Sequence, residues 1–389
     1  MLDQVSFKAF KSLREVTLDL EPFTVLVGPN GSGKRSVLHG LYLLSRTGVR
    51  IPDAKRFEVI FGGASSPDRL ASEAAPVTVE LAARQAGGDT LSLSIDIPGT
   101  NGSRPRTTYR VAVDGPQGRR HEASIPRHGL IPSVEDEETP LDHPRIRRFS
   151  SVAHLRLDAS VMVRTSTTDE ERPRVHHDGS GLASTLAWLA GAKPDLLHDI
   201  TTTLSTIVPG VRRILVHRER IVDSVMDKVT LDGQPVWRPV ERARLGDRFS
   251  IEFDDGPEVP ADLLSEGTVL ALGLLTKLHE PERPHVLLLD DIDRGLHIGA
   301  QARLVGTLRE LMRRDPELQI VCTTHSAYLL DMFEPAEVRV LDIDPTRATH
   351  ARPLTDHPDF ENWRFGTQTG ELWASLGEAW VTGRKRTAP

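Results

Sequence analysis

Apolar and polar positions alternate with period two over residues 2–7 and 16–20, which predicts two short strands. The uninterrupted apolar run 23–27 leads into a glycine-rich turn, and beyond it Val37, Leu38, Leu41 and Leu44 recur at helical spacing within 36–44. A strand, a glycine loop and a helix therefore follow one another. Period two returns from 75 to 115, in Val77, Val79 and Leu81, in Leu91, Leu93 and Ile95, and in Tyr109, Val111 and Val113, as in an antiparallel sheet. Residues 116–151 are rich in proline and charge and read as an exposed loop or lid, with the acidic run 135–138 as solvated surface.

Helical texture resumes over 181–208, opened by the turn Asp178-Gly179-Ser180-Gly181 and stopped by Pro209-Gly210. Strands are expected near 211–216 and 248–253. The last third then alternates a helix at 266–279, a strand at 286–289, a helix at 300–314 and a strand at 319–322. Buried strands alternating with helices imply a parallel α/β sheet. No internal repeat and no sustained heptads are present, which argues against long coiled-coil arms.

At 389 residues the chain is long enough for two or three domains, or for one domain with a large insertion. Its 38% hydrophobic and 26% charged content excludes collagen-like, disulfide-scaffold and wholly disordered classes. A net charge of -7 gives no overall positive field for nucleic acid or anionic membrane, so any such contact is local. Cys322 is the single cysteine, and no Cys/His cluster has zinc-like spacing; a reducing, cytoplasmic setting is expected. With an early acid in residues 1–11 and no apolar run of roughly 18 residues, neither secretion nor membrane insertion is expected.

Gly28-Pro29-Asn30-Gly31-Ser32-Gly33-Lys34 fits the first seven positions of the P-loop pattern, between a strand and a helix as that pattern requires. Its glycines let backbone N–H groups converge on phosphate oxygens, the helix N-terminus favours negative charge, and Lys34 reaches the β and γ phosphates of ATP. The eighth position normally supplies a hydroxyl to Mg²⁺, but here it is Arg35, with Ser36 one residue later. One helical step rotates a side chain by about 100°, so Ser36 does not inherit the metal position. Either Arg35 places its own charge near the phosphates, or it swings outward and leaves Mg²⁺ to water and other ligands. The run Val286-Leu287-Leu288-Leu289-Asp290-Asp291 is an apolar strand ending in two carboxylates. In that layout Asp290 supports Mg²⁺ through water, and Asp291 orients the attacking water.

Leu264-Ser265-Glu266-Gly267-Thr268 opens a helix, and Thr323-Thr324-His325-Ser326 follows the strand that ends at Cys322. In the order P-loop, LSxG, apolar-Asp-Asp and strand-His, the set resembles the ATP-binding-cassette type of ATPase over most of the chain. That resemblance implies that Ser265, Glu266 and Gly267 face the γ-phosphate of a nucleotide held by a second subunit, and that His325 is the switch residue near it. Where related ATPases carry Glu, the chain has Asp291, one methylene shorter. The segments FKAFKSL, VLVGPNGSGK, LLSEGT, LLLDDIDRGLH and VCTTHSAYLLD look most like the RecF and OLD-like AAA-type ATPases of bacteria, and TGELWASLGEAWV is similar to the tail of stand-alone members. A coiled-coil subtype, which needs long insertions, is not expected, nor is an OLD nuclease, which needs a Toprim domain after His325. Gln85 falls in the antiparallel region, so no glutamine loop is assigned.

The expected fold is thus an α/β P-loop NTPase head of the ABC type, assembled from residues 1–115 and 245–389, with an antiparallel β subdomain and an inserted lid or arm at 116–244. The expected function is an ATPase, using ATP and Mg²⁺, whose head-to-head dimer drives DNA processing or antiphage defence with a separately encoded effector. The alternatives are a nucleotide-gated binding module with little hydrolysis, as Arg35 and Asp291 imply, or a RecF-like DNA repair ATPase. Arg119, Arg120, Arg145, Arg147 and Arg148 are candidate nucleic-acid contacts. Trp373 and Trp380, seven apart, are expected to share a face of the last helix, for core packing or partner docking.

Overall fold

The computed structural model describes residues 1–46, 77–85, 88, 90–97, 108–114, 120–126, 151–231, 234–254, 256–363 and 366–384. Arg119, Arg145, Arg147, Arg148 and the acidic run 135–138 lie outside the described residues; Arg120 opens a strand. The chain forms two compact units, one from Met1–His154, Pro284–Asp293 and Arg309–Pro389, the other from Leu155–Arg283 and Arg294–Leu308.

In the first unit, β1 (Leu2–Phe10), β2 (Leu13–Asp19), β4 (Val77–Gln85), β5 (Thr90–Ile97), β6 (Thr108–Asp114) and β7 (Arg120–Pro126) build a six-stranded sheet in the order β2-β1-β4-β5-β6-β7. Every neighbouring pair in it is antiparallel. A second six-stranded sheet contains β3 (Phe23–Val27), β8 (Val152–Leu155), β12 (Val286–Leu289), β13 (Gln319–Thr323), β14 (Val338–Ile343) and β15 (Thr349–Pro353), in the order β15-β14-β3-β13-β12-β8. Strands β12, β13, β3 and β14 run parallel, with β15 antiparallel at the edge. All residues of β3, β12 and β13 are buried, which explains their unbroken apolar runs: a strand covered on both faces has no polar side to alternate with.

Helix α1 (Lys34–Arg46) lies against strands of both sheets. Val37, Leu38, Leu41 and Leu44 join Phe7, Phe10, Leu18, Leu81, Leu91, Leu288 and Val321 in one core cluster. Burying each such side chain contributes about 1.5–3 kcal/mol, so the helix that follows the glycine loop is fixed by this core cluster.

In the second unit, α2 (Leu182–Ala192), α3 (Pro194–Ile207) and α4 (Glu266–Leu278) pack on one another, and α2 and α3 pack on a ribbon of β9 (Val211–Leu231) and β10 (Gln234–Phe253). The single helix expected over 181–208 is two, because Lys193 leaves helical geometry (φ -146°, ψ 59°) and Pro194 restarts the chain at a first helical position, where its missing N–H costs nothing. The strands expected at 211–216 and 248–253 are the base of this ribbon, which pairs without interruption from Gln234↔Leu231 to Glu252↔Arg213. A short strand, β11 (Glu258–Pro260), pairs with β10.

Helix α5 (Ile298–Arg314) precedes β13, and α6 (Thr369–Leu376) ends at Gly377, whose φ is 65°. That glycine separates Trp373 from Trp380, so the two indoles do not share a helix face: Trp380 belongs to a following 3-10 turn. No described helix is long and apolar enough to cross a membrane.

Candidate functional site

The glycine loop leaves the C-terminal end of β3 and feeds α1. Its glycines at 28, 31 and 33 take φ values of 141°, 82° and 97°. At Gly33 a side chain would also collide with the Thr349 hydroxyl, which is within 2.8 Å of Ser12 Oγ. Only glycine meets both demands, and the backbone N–H groups at the start of α1 stay open to a ligand. Asn30 and Gly31 form the exposed lip of the loop, Ser32 and Lys34 are buried, and Ser36 is half-buried.

The Lys34 ammonium donates to Gly28 O at 2.6 Å and Pro29 O at 3.0 Å, folded over its own loop. Burial lowers its pKa, and the negative charges of Asp291, Glu378 and Asp290 oppose that shift. Burial in turn raises the pKa of Glu378. Glu378 belongs to the TGELWASLGEAWV segment, anchored beside it by Asp342, which accepts from Thr382 Oγ1 at 2.8 Å and from Arg384. Nothing in the local spacing of Glu378 ties it to a loop so distant in sequence, so pattern reading passes over it.

The two acids stand at the C-terminal end of β12, beside the β13 end that carries Thr323. Thr323 Oγ1 lies 3.1 Å from Asp290 Oδ1 and accepts the Asp291 N–H at 2.8 Å. Asp291 has a φ of 56°, a left-handed conformation that Asp tolerates better than longer side chains. The shorter acid is thus matched to its backbone. One residue beyond Thr323, Thr324 donates to Asp293 at 2.6 Å, and His325 stands exposed in the following loop.

Arg35 decides the electrostatics of this corner. Its Nε donates to Asp290 Oδ2, and Nη2 lies 3.5 Å from Asp291 Oδ2. The Asp290 side chain is 3% exposed and that of Arg35 44%. The swing of Arg35 into solvent left open by the sequence does not occur here.

The LSxG residues lie at the N-terminus of α4 in the second unit. Ser265 caps the helix by accepting the Thr268 N–H at 3.2 Å, and Glu266 pairs with Arg294 at 3.1 Å; both side chains are exposed. Gly267 is buried, and a Cβ there would lie 2.5 Å from Gly295 O. Its glycine therefore has a packing reason of its own.

ATP and Mg²⁺ are the groups that this fold implies. The loop fits a triphosphate: it offers a buried lysine, three glycines with positive φ, and Ser32 Oγ, a fully buried hydroxyl without a hydrogen-bond partner. The acids in this arrangement do not fit a divalent ion. Thr323 and Arg35 engage the two Asp290 oxygens, and the position that normally supplies a hydroxyl ligand is the arginine itself.

A parallel sheet with a glycine loop after one strand and paired carboxylates after another is the fold of a P-loop NTPase head. Residues 23–331 match the family described as "AAA domain, putative AbiEii toxin, Type IV TA system", and the chain belongs to that family. A segment of 58 residues is 40% identical to the chromosome partition protein Smc of Methanocaldococcus jannaschii; it covers 14% of this chain and 5% of that protein. Among solved structures, an Smc head bound to the C-terminal winged-helix domain of ScpA covers 90% of this chain and 96% of its own, with a TM-score of 0.55 and 14% identity. The SMC head domain of Thermotoga maritima covers 90% and 98%, with a TM-score of 0.43 and 16% identity. The likeness to the first of these heads shows the shared fold.

Proposed function

We propose that the protein is an ATP-binding ATPase whose two copies close head to head on nucleotide. The loop 28–36 of one copy holds the triphosphate, and the partner's Ser265, Glu266 and Gly267 cover the γ-phosphate. The observation that carries this reading is the Lys34 ammonium, held over the glycine loop by two backbone carbonyls beside the unpartnered Ser32 hydroxyl. Triphosphate oxygens are better acceptors for an ammonium than those carbonyls, so binding replaces two contacts to neutral acceptors with ion pairs in which both partners are charged. The exposed N-terminus of α4 adds N–H donors of the kind that anions favour.

For hydrolysis, Asp291 orients water and takes its proton as the water oxygen bonds to the γ-phosphorus. The bond to the β-phosphate bridging oxygen breaks and ADP leaves with its electron pair. His325 steadies the departing phosphate. In the cell, dimer closure drives a DNA-processing or antiphage complex with a separate effector. The family description and the ScpA-bound Smc head support a partnered role.

The Arg35–Asp290 pair favours a second reading, a nucleotide-gated module with little turnover. Light scattering with and without a non-hydrolysable ATP analogue tests dimerisation, and steady-state phosphate release separates the two readings. Analogue-dependent doubling of mass that Ser265→Arg abolishes is the expected result; a mass that ignores nucleotide overturns the dimer.

A further inference from the structure

We propose that Arg35 is a tethered cation that takes the place of the divalent ion, so that the loop binds metal-free nucleoside triphosphate. The proposal rests on the nucleotide reading of residues 28–36 and adds to it the ionic form of the ligand.

Three observations carry it. Arg35 stands in the first turn of α1, directly after Lys34, so its charge enters the same corner as the ammonium and the helix N-terminus. Its guanidinium is held by two carboxylates, through Nε on the buried Asp290 and Nη2 on Asp291, the pair of acids from which an ion would otherwise be hung. Asp290 is in turn fixed by Thr323 at 3.1 Å, so the guanidinium plane has a rigid base. A planar fork anchored at Nε and one Nη still presents the other Nη, whose N–H groups suit phosphate oxygens. With 44% of the Arg35 side chain exposed, that end is accessible to a ligand.

Charge decides between this role and a passive ion pair. Lys34 and Arg35 face Asp290, Asp291 and Glu378 before any ligand arrives, so most of the acid charge of the corner is offset without a metal. A metal entering at Asp290 has to displace a charge-assisted contact and finds no hydroxyl at position 35. A guanidinium carries one charge where Mg²⁺ carries two and cannot draw phosphate and water oxygens into octahedral order. Binding is therefore retained without metal, while turnover stays slow in either buffer.

Calorimetric titration with ATP, in EDTA and in Mg²⁺, tests this on the full chain. The wild type is expected to bind in both buffers with affinities within about threefold of each other. Arg35→Ser is expected to bind about tenfold or more weakly in EDTA, one charge-assisted contact being worth that much, and to recover with Mg²⁺. Arg35→Lys, which keeps the charge without the fork, falls between them; circular dichroism melts establish that each variant is folded. A wild type that binds about tenfold or more weakly in EDTA than in Mg²⁺ overturns the proposal and leaves the loop assignment intact. Arg35→Ser binding as tightly as wild type in EDTA also overturns it. A wild type that binds ATP in neither buffer overturns the loop assignment and the proposal together.

Discussion

The Asp291 N–H donates to Thr323 Oγ1 at 2.8 Å, and the same hydroxyl lies 3.1 Å from Asp290 Oδ1. One buried threonine on β13 thereby sets the positions of both acids at the end of β12. Thr323→Val keeps the shape and deletes the hydroxyl, which leaves the Asp291 N–H without its acceptor. Stability falls by about 1–3 kcal/mol in urea denaturation. An unchanged midpoint would show that the acids are held by something else.

Asp291 itself separates geometry from chemistry. Because Asn tolerates φ near 56° as well as Asp does, Asp291→Asn leaves the melting temperature near that of the parent while phosphate release falls to background. Asp291→Glu, longer in the same left-handed backbone, loses about 1 kcal/mol of stability. Turnover in Asp291→Asn equal to the parent's removes Asp291 as the base.

Lys11 gives a pH dependence. Burial, with a further push from the Arg35 charge, lowers its pKa from 10.5 to about 8. Between those two values the unfolded chain binds the extra proton, so stability rises with pH from about 8 to 10.5 on account of this residue. Lys11→Met removes that rise, and comparing urea midpoints across the window measures it. A parent and variant with parallel profiles would contradict the assignment.

Arg309, in the C-terminal part of α5, is held within the first unit. It makes a two-pronged pair with Glu337 at 2.9 and 2.6 Å, and its guanidinium lies 5.4 Å from the ring centres of Phe23 and Phe333. Arg309→Lys keeps the charge but loses the fork and the flat stacking surface, costing about 1.5–3 kcal/mol in equilibrium unfolding. A loss below about 0.5 kcal/mol would reduce the pair to an ordinary surface contact.

The strands around the glycine loop were the most legible part of the fold in the sequence, because β3, β12 and β13 are buried along their whole length and announce themselves as unbroken apolar runs. Strand β14 does not: Arg339 and Asp342 are buried within it, and Arg339 is satisfied by the carbonyls of Asp19 and Ala336, so its pattern looks like surface. The middle of the β9–β10 ribbon was equally silent. By register Val222, Met226, Trp237 and Leu245 fall on one face, yet all are exposed, so burial imposes no regular alternation there. Arg35 and Asp290 are 255 positions apart, a pairing that no local spacing encodes. The sequence could raise the question of where Arg35 points; only the fold of β12 against α1 answers it.

The central claim is that residues 28–34 hold the triphosphate, with Lys34 as its nearest cation. Titration calorimetry of ATP into wild type and Lys34→Ala tests it most directly. A charge-assisted contact is worth about 1.5–3 kcal/mol, so affinity falls about tenfold or more in the variant. Equal affinity in the two proteins would place the nucleotide elsewhere and contradict the account.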